Sequence, residues 1–176
     1  TKLESMKERH LISQNLIDNR EFGAVLINQD ESISVMVNEE DHIRIQVIKS
    51  GLNLDEAYDI ANKIDIVLSE SINFAFDDKL GYLTACPTNL GTGLRASVMM
   101  HLPCIKMNNK IDSLIHSISK IGLTIRGIYG EGTKSKASIY QLSNQVTLGV
   151  SEKNIIENLN SITNQIINKE NEEASL

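Results

Sequence analysis

One short stretch of the chain brings together a thiol, two glycines and a guanidinium. It reads CPTNLGTGLR and runs from Cys86 to Arg95. Pro87 has no N–H to donate, so strand pairing should stop there. Gly91 and Gly93 allow unusual backbone angles and let the main chain come close to a ligand. Their spacing is neither the Walker A nor the dinucleotide pattern, and an ordinary strand–loop–strand connection remains the alternative for this loop taken alone.

Three arginines occupy equivalent positions in three predicted strands. Side chains alternate along a strand, and this period places Arg44, Arg95 and Arg126 on the polar sides. The chain has only five arginines beside twelve lysines, although a merely solvated face would use lysine as readily. A guanidinium is planar, always charged and able to grip two phosphate oxygens at once. These positions predict a triphosphate site, and three unrelated ion pairs are the alternative.

Three separated motifs resemble one known family. The string CPTNLGTGLRASV at 86–98, NEEDHIR at 38–44 and RGIYGE at 126–131 stand in the order found in the phosphagen (guanidino) kinases. These enzymes move a phosphoryl group between ATP and a guanidinium. The resemblance runs from about His10 to the last predicted helix. The turn at 126–132, the segment SNQVTLG at 143–149 and MMHLP at 99–103 look most like the bacterial protein arginine kinases.

The resemblance implies a role for each matching residue. A free guanidinium has a pKa above ~12 and is a poor nucleophile, so carboxylates must align it and accept a proton. Glu40 and Glu131 match that pair, and Cys86 matches the family's reactive cysteine, with a buried inert thiol as its alternative. His10 resembles the histidine that contacts the nucleotide base. The remaining implied nucleotide-binding residues are Arg44, Arg95, Ala96, Ser97, Val98, Met99, Arg126, Gly127, Ile128, Tyr129, Gly130 and Glu131.

Magnesium is expected to arrive on the nucleotide. The chain has no His, Cys and carboxylate cluster with direct metal-ligand spacing, so Mg²⁺ bound to ATP should keep much of its water. Glu39 and Asp41 either hold water of that ion or form a solvated acidic turn.

The resembled bacterial kinases phosphorylate arginine side chains of proteins. Their implied partners are a heat-shock repressor, the Clp protease and a zinc-binding activator protein. Two other functions stay open: a kinase of free arginine or another small guanidino compound, and a non-catalytic module that binds nucleotide or protein.

Composition sets limits on the class of protein. The 176 residues suit one domain, and aromatic residues make up only 4%, so the core must be aliphatic. A net charge of −6 argues against nucleic acid and anionic membranes as partners. Two cysteines suit a reducing cytoplasm. No apolar run approaches the ~20 residues that a membrane span needs.

The pattern of strands and helices predicts an α+β fold. It is a mainly antiparallel β-sheet with helices packed on one face, like a guanidino kinase catalytic domain. Asn53 and Glu56 suggest a capping box, and Ser151 suggests a helix cap. We assign 1–168 to the catalytic domain and 169–176 to a tail too charged to pack, at the start of a linker. Strands are predicted at about 22–29, 32–37, 41–48, 82–85, 95–102, 122–128 and 137–143, and helices at about 53–75, 109–120 and 151–168.

The chain starts at Thr1 without an initiator Met, so we expect a piece of a longer protein. The resembled family has further phosphate-binding arginines upstream, and its bacterial members continue into a C-terminal domain that binds phosphoarginine. We expect this piece alone to fold, to bind ATP weakly and to transfer phosphate near the background rate.

Overall fold

The computed structural model describes residues 2–128 and 137–175, which form two compact units, Thr1–Pro87 and Thr88–Leu176. The first unit contains two short helices, three strands, a long helix and a hairpin. The second contains three strands and three helices. In chain order the elements are α1 (Lys2–Glu8), α2 (Gln14–Asp18), β1 (Ala24–Ile27), β2 (Ile33–Val37), β3 (Ile43–Val47), α3 (Leu54–Ser69), β4 (Phe76–Asp77), β5 (Gly81–Tyr82), β6 (Ser97–His101), α4 (Pro103–Met107), α5 (Ile111–Ser119), β7 (Leu123–Gly127), β8 (Ile139–Asn144) and α6 (Glu152–Glu173).

An antiparallel sheet in the order β1-β2-β3 forms the centre of the first unit. Helices α1 and α2 lie against it, because their apolar side chains share a core with Met36 of β2, which is completely buried. The oxygen of Ser13 caps α2 by accepting from the Leu16 N–H at 3.1 Å. The two N-terminal helices therefore pack on one face of the sheet.

Helix α3 differs from its prediction at both ends. Asn53 precedes it without capping it, because its side-chain amide donates to the Ser50 carbonyl, and Glu56 instead pairs with Lys49 at 2.7 Å. The predicted capping box is therefore wrong. The helix ends at Ser69 rather than near residue 75. The residues that follow enter the β4–β5 hairpin, where Phe74 and Phe76 pack edge-to-face on the Tyr82 ring.

The second unit has an antiparallel sheet in the order β6-β8-β7. One face of this sheet is apolar and packs with helices α5 and α6. Those helices bury the apolar residues Ile111, Leu114, Ile118, Ile155, Leu159 and Ile166, while Ile115 and Ile162 are half-buried. Ser151 caps α6 by accepting from the Asn154 N–H at 3.2 Å, which confirms that part of the sequence prediction.

Residues 169–173, expected to be too charged to pack, are the last part of α6, and that expectation is wrong. The Glu170 carboxylate accepts from the N–H groups of Cys104 and Ile105 at 2.7 and 2.9 Å. Glu173 accepts from Lys110 at 2.6 Å and from Asn108 at 2.7 Å. The charges pack because polar groups of α4 and of the turn after it supply their partners.

The α+β class with antiparallel strands is confirmed. The described strands differ from one continuous sheet, since they form two three-stranded sheets and a hairpin. Of the strand predicted at 82–85 only Tyr82 belongs to a described strand, β5, and Arg95 and Ala96 precede β6 rather than belong to it. The single-domain assignment of 1–168 stays a prediction. Within the described residues, no helix combines the length and apolarity needed to cross a membrane.

Candidate active site

The glycine loop is fastened to the segment that follows β8. The Thr147 hydroxyl donates to the carbonyls of Thr88 and Leu90 at 3.0 and 2.8 Å, and the Thr92 N–H donates to the Thr147 carbonyl at 3.0 Å. Gly91 has φ +106°, and a Cβ there would lie 2.4 Å from the Thr147 oxygen. Only glycine fits this approach. The segment at 143–149 served in the sequence only as a mark of the family resemblance, and this role of Thr147 was not predicted.

Asn144 holds the chain on both sides of Arg95. It is 3% exposed, and its side-chain oxygen accepts from the Ala96 N–H at 2.8 Å. Its amide donates to the carbonyls of Leu94 and Val146 at 3.0 and 3.2 Å. A buried amide that uses both ends in this way fixes the backbone from which Arg95 projects. The sequence offered no signal for this residue beyond its place at the end of a strand.

The sheet of the second unit has a polar face that carries Arg126. Register aligns Arg126 with Gln141 and Met99 on neighbouring strands, so the three share that face. The next set on the same face is Thr124, Ser143 and Ser97. Gln141 donates to the Ser97 hydroxyl at 2.8 Å. The predicted alternation is confirmed here.

Arg95 and Arg126 flank this polar face. Arg95 precedes β6 and Arg126 lies near the end of β7, about 13 Å apart along the strands and about 10 Å across them. Both side chains are exposed, and within residues 2–128 and 137–175 neither forms a salt bridge. Two guanidinium groups without acidic partners in the described structure suit an anion that spans the face.

The acidic turn between β2 and β3 is built rather than merely solvated. Glu39 is 6% exposed and accepts from Arg44 at 3.0 Å. Asp41 accepts from the Ala85 N–H at 2.6 Å and from the Cys86 N–H at 3.3 Å. The Glu39 carboxylate thus binds Arg44, and the Asp41 carboxylate fixes the backbone that leads into Cys86. Ion pairs were the alternative role that the sequence left open for the three arginines, and Arg44 does form one, with Glu39.

Glu40 lies between those two anchors and is exposed. It lines an open hollow of about 310 Å³ together with Asp41 and Ala85, the residue before Cys86. Cys86 is half-buried, and its backbone carbonyl accepts from the Thr84 hydroxyl at 2.7 Å. The structure therefore brings Glu40 and the backbone that leads into Cys86 to one hollow of the first unit.

His10 approaches the face of β3 that carries Arg44. Its backbone has φ 59°, and its carbonyl accepts from the side chain of Gln46, two residues beyond Arg44. That face is not simply polar, however. The strand register aligns Arg44 with Met36 of β2. Met36 is fully buried because apolar side chains of α1 and α2 pack against it. Arg44 itself stays exposed.

The remaining predicted residues lie along β6 and after β7. Ser97, Val98 and Met99 belong to β6, which is an edge strand of its sheet, whereas the Ala96 N–H is already engaged by Asn144. Gly127 ends β7, and the Ile128 N–H donates to the Ile139 carbonyl at 2.9 Å. Tyr129, Gly130 and Glu131 lie outside the described residues.

Two solved kinase structures share this fold. The taurocyamine kinase of Schistosoma mansoni, with bound transition-state analog components, superposes with a TM-score of 0.80 at 32% identity, over 94% of this chain and 24% of that one. A lombricine kinase gives a TM-score of 0.78 at 25% identity, over 96% of this chain and 50% of that one.

The chain belongs to the ATP:guanido phosphotransferase family, whose C-terminal catalytic domain matches residues 1–173. It is 57% identical to the protein-arginine kinase of Clostridium acetobutylicum, over 93% of this chain and 48% of that protein. It is 55% identical to that of Caldanaerobacter subterraneus subsp. tengcongensis, over 95% of this chain and 50% of that protein. The chain thus spans about half the length of the curated relatives it matches.

Proposed function

We propose that this chain serves ATP-dependent phosphoryl transfer to the guanidinium of arginine residues in proteins. The observation that carries the proposal is the polar sheet face flanked by Arg95 and Arg126. Each guanidinium is exposed there, and neither has an acidic partner in the described structure. Similarity to protein-arginine kinases supports arginine in a protein as the acceptor.

Nucleotide binding in this proposal depends on positively charged side chains and N–H groups placed around the phosphates. Arg44, Arg95 and Arg126 bind phosphate oxygens, and strand amides from Ser97 to Met99 add donors. The Ala96 N–H, just before β6, is not among these donors because it already donates to the Asn144 side chain. Magnesium comes with ATP, where it neutralises charge on the β- and γ-phosphates. The arginine donor set fits such a nucleotide, and His10 contacts its base.

The acceptor side needs negative charge around a cation. Glu40 and Glu131 align the acceptor guanidinium, and one of them takes its proton as the N–P bond forms. Cys86 holds the guanidinium electrostatically as a thiolate. The hollow beside Glu40 and Ala85 supports this assignment, because it leaves room next to the carboxylate.

The resemblance extends the proposal to a biological setting. The reaction would take place in the cytoplasm, in a stress response, with a heat-shock repressor, the Clp protease and a zinc-binding activator protein as partners. Support for this setting is the resemblance to the bacterial branch, together with a count of only two cysteines, which suits a reducing compartment.

Acceptor choice tests the proposed reaction. A full-length protein-arginine kinase that carries this chain in place of its matching half is incubated with ATP and either an unfolded protein or free arginine, and phosphoarginine is measured after neutral or alkaline work-up, because acid cleaves the N–P bond. Transfer to the protein alone is expected. Transfer to free arginine alone would move the chain to the small-guanidine branch, and ATP binding without transfer to either acceptor would mean a non-catalytic module.

Glu40→Gln provides the residue-level test. It should lower transfer at least ~100-fold while ATP binding stays near wild type, because general-base catalysis typically contributes that much. Glu21→Gln is the matched control, since Glu21 is an exposed glutamate of the same unit. Near-normal turnover of Glu40→Gln would remove that residue from catalysis.

A further inference from the structure

Residues 66–83, which precede Cys86 in the chain, expose several large apolar side chains. These six side chains lie within 18 residues and are 39–63% exposed, namely Ile66, Val67, Ile72, Phe76, Leu80 and Leu83. They come from the end of α3, the connection after it and the β4–β5 hairpin. We call them the hairpin surface. Single exposed apolar residues are ordinary, whereas apolar side chains that a helix end and an adjoining hairpin expose together are typical of an interaction site.

The hairpin surface is held in one shape. The Tyr82 hydroxyl donates to Asp65 of α3 at 2.9 Å, which ties the hairpin to the helix. Two edge-to-face contacts join the Tyr82 ring to Phe74 and Phe76, with ring centres 6.0 and 5.2 Å apart. The Asp77 carboxylate closes the turn by accepting from the N–H groups of residues 79 and 80 at 2.8 and 2.9 Å. A partner that binds a preformed surface loses less free energy to ordering it.

Charge identifies the kind of partner. Residues 54–83 carry seven carboxylates and two lysines, a formal charge of −5, against −6 for the whole chain. A second copy of this chain would bring the same negative charge and be repelled, and so would nucleic acid or an anionic membrane. The surface fits an apolar segment that is also basic.

Position relates the hairpin surface to the candidate acceptor site. Leu83 stands three residues before Cys86, a span of at most ~11 Å. Asp41 anchors the intervening backbone beside the hollow that Glu40 lines. An arginine placed in that hollow would leave its neighbours in the peptide within reach of the hairpin.

We propose that the hairpin surface docks the apolar, basic residues that neighbour the target arginine in an unfolded protein substrate. This inference rests on the proposed function for the identity of the target residue. It also explains how such a site could favour arginine in a protein over the free amino acid, since free arginine has no neighbours to dock.

Binding tests the docking without requiring turnover. The probe is a labelled peptide of about ten residues, extending over ~35 Å, with one arginine among leucine, valine and lysine. Its affinity for the 176-residue chain is measured by fluorescence anisotropy. The variant is Val67→Ser with Asp78→Asn, both exposed, and the control is Met107→Ser with Glu157→Gln, which makes equivalent changes in the other unit.

The docking variant should bind the peptide about tenfold more weakly, and the control should stay within about twofold of wild type. A peptide with serine in place of leucine and valine should lose affinity for wild type to a similar extent. Equal affinity of variant and wild type, equal affinity of the two peptides, or no peptide binding to wild type would overturn the proposal.

Kinetics separates this inference from the proposed function. The docking variant should raise KM for the peptide about tenfold relative to its KM for arginine methyl ester. Absence of transfer to every acceptor, with anisotropy as expected, would refute the catalytic proposal and leave docking intact. Normal transfer with the same KM ratio in variant and wild type would refute docking alone.

Discussion

The guanidinium groups of Arg44 and Arg95 have different surroundings. Arg44 is already paired with the buried Glu39 carboxylate at 3.0 Å. Arg95 forms no salt bridge with any described residue, and Asn144 fixes the backbone on both sides of it. A phosphate that binds Arg44 must share it with Glu39. Arg95 should therefore contribute more of the nucleotide affinity.

Arg95→Ala should weaken ATP binding by about 1.5–3 kcal/mol, the range for a hydrogen bond to a charged group. Arg95→Lys should also weaken it, because the two-pronged grip is lost. Arg44→Lys should have the smaller effect. Calorimetric titration with ATP measures all three, and Arg9→Ala, an exposed arginine paired with Glu31, is the control. Wild-type affinity in both Arg95 variants would exclude that residue from the site.

Asp41 fixes the backbone that leads into Cys86. Removing its carboxylate in Asp41→Ala leaves the Ala85 and Cys86 N–H groups without that acceptor, at a cost of about 1.5–3 kcal/mol. Hydrogen exchange of these two amides should accelerate, and so should alkylation of the Cys86 thiol. Asp78→Ala, at an exposed aspartate of the hairpin, is the control. Unaltered hydrogen exchange at both amides would show that the Asp41 side chain does not stabilise this backbone.

At the scale of elements, the loop of residues 88–95 owes its shape to a segment distant in the sequence. Thr147 engages three of its backbone groups, and Asn144 engages a fourth. Neither residue belongs to a recognisable pattern, so the sequence could predict the loop but not what holds it. Strand alternation was predictable because period two follows from the backbone itself. The end of α3 was not, because aromatic contacts in the hairpin override helical periodicity.

Gly91→Ala should destabilise the second unit by more than Gly149→Ala does. Both glycines have positive φ, +106° and +77°, so each alanine carries backbone strain of about 1–3 kcal/mol. A Cβ added at Gly149 would stand in open space, whereas one added at Gly91 would lie 2.4 Å from the Thr147 oxygen. Urea unfolding of both variants isolates the steric part. Equal losses would mean that the loop can move away from Thr147 at no cost.

The contact between the end of α6 and the turn after α4 should weaken in acid. Hydrogen bonds from Lys110 and then Asn108 hold the pKa of the Glu173 carboxyl below its ordinary value of 4.5. A lowered pKa gives stability that is full above pH 4.5 and is lost as the pH falls through the folded-state pKa. Wild type should therefore melt at a higher temperature than Glu173→Gln at pH 7, and the difference should narrow as the pH falls below 4.5. A gap that stayed constant with pH would contradict this assignment.

At the scale of the whole molecule, most of the net negative charge and the proposed phosphate-binding arginines lie in different segments of the chain. Residues 54–83 hold −5 of the net −6, whereas Arg95 and Arg126 lie in a later segment. An acidic protein repels ATP at long range, so nucleotide affinity must come from local guanidinium contacts. A basic protein substrate is attracted at long range instead. Composition alone predicted the net charge, but only the exposures along α3 and the hairpin show where an attracted partner could rest.

Salt should therefore weaken binding of the basic peptide. Raising the ionic strength from about 0.1 M to 1 M shortens the screening length from ~10 Å to ~3 Å, which removes most attraction between exposed charges. Affinity of the arginine- and lysine-bearing peptide should fall several-fold over that range, mainly through a slower association rate. A peptide with the same leucines and valines but glutamine in place of lysine is the control, and its affinity should change less. If salt left the basic peptide's affinity unchanged, the acidic residues from 54 to 83 would have no part in docking, and the apolar side chains alone would have to account for it.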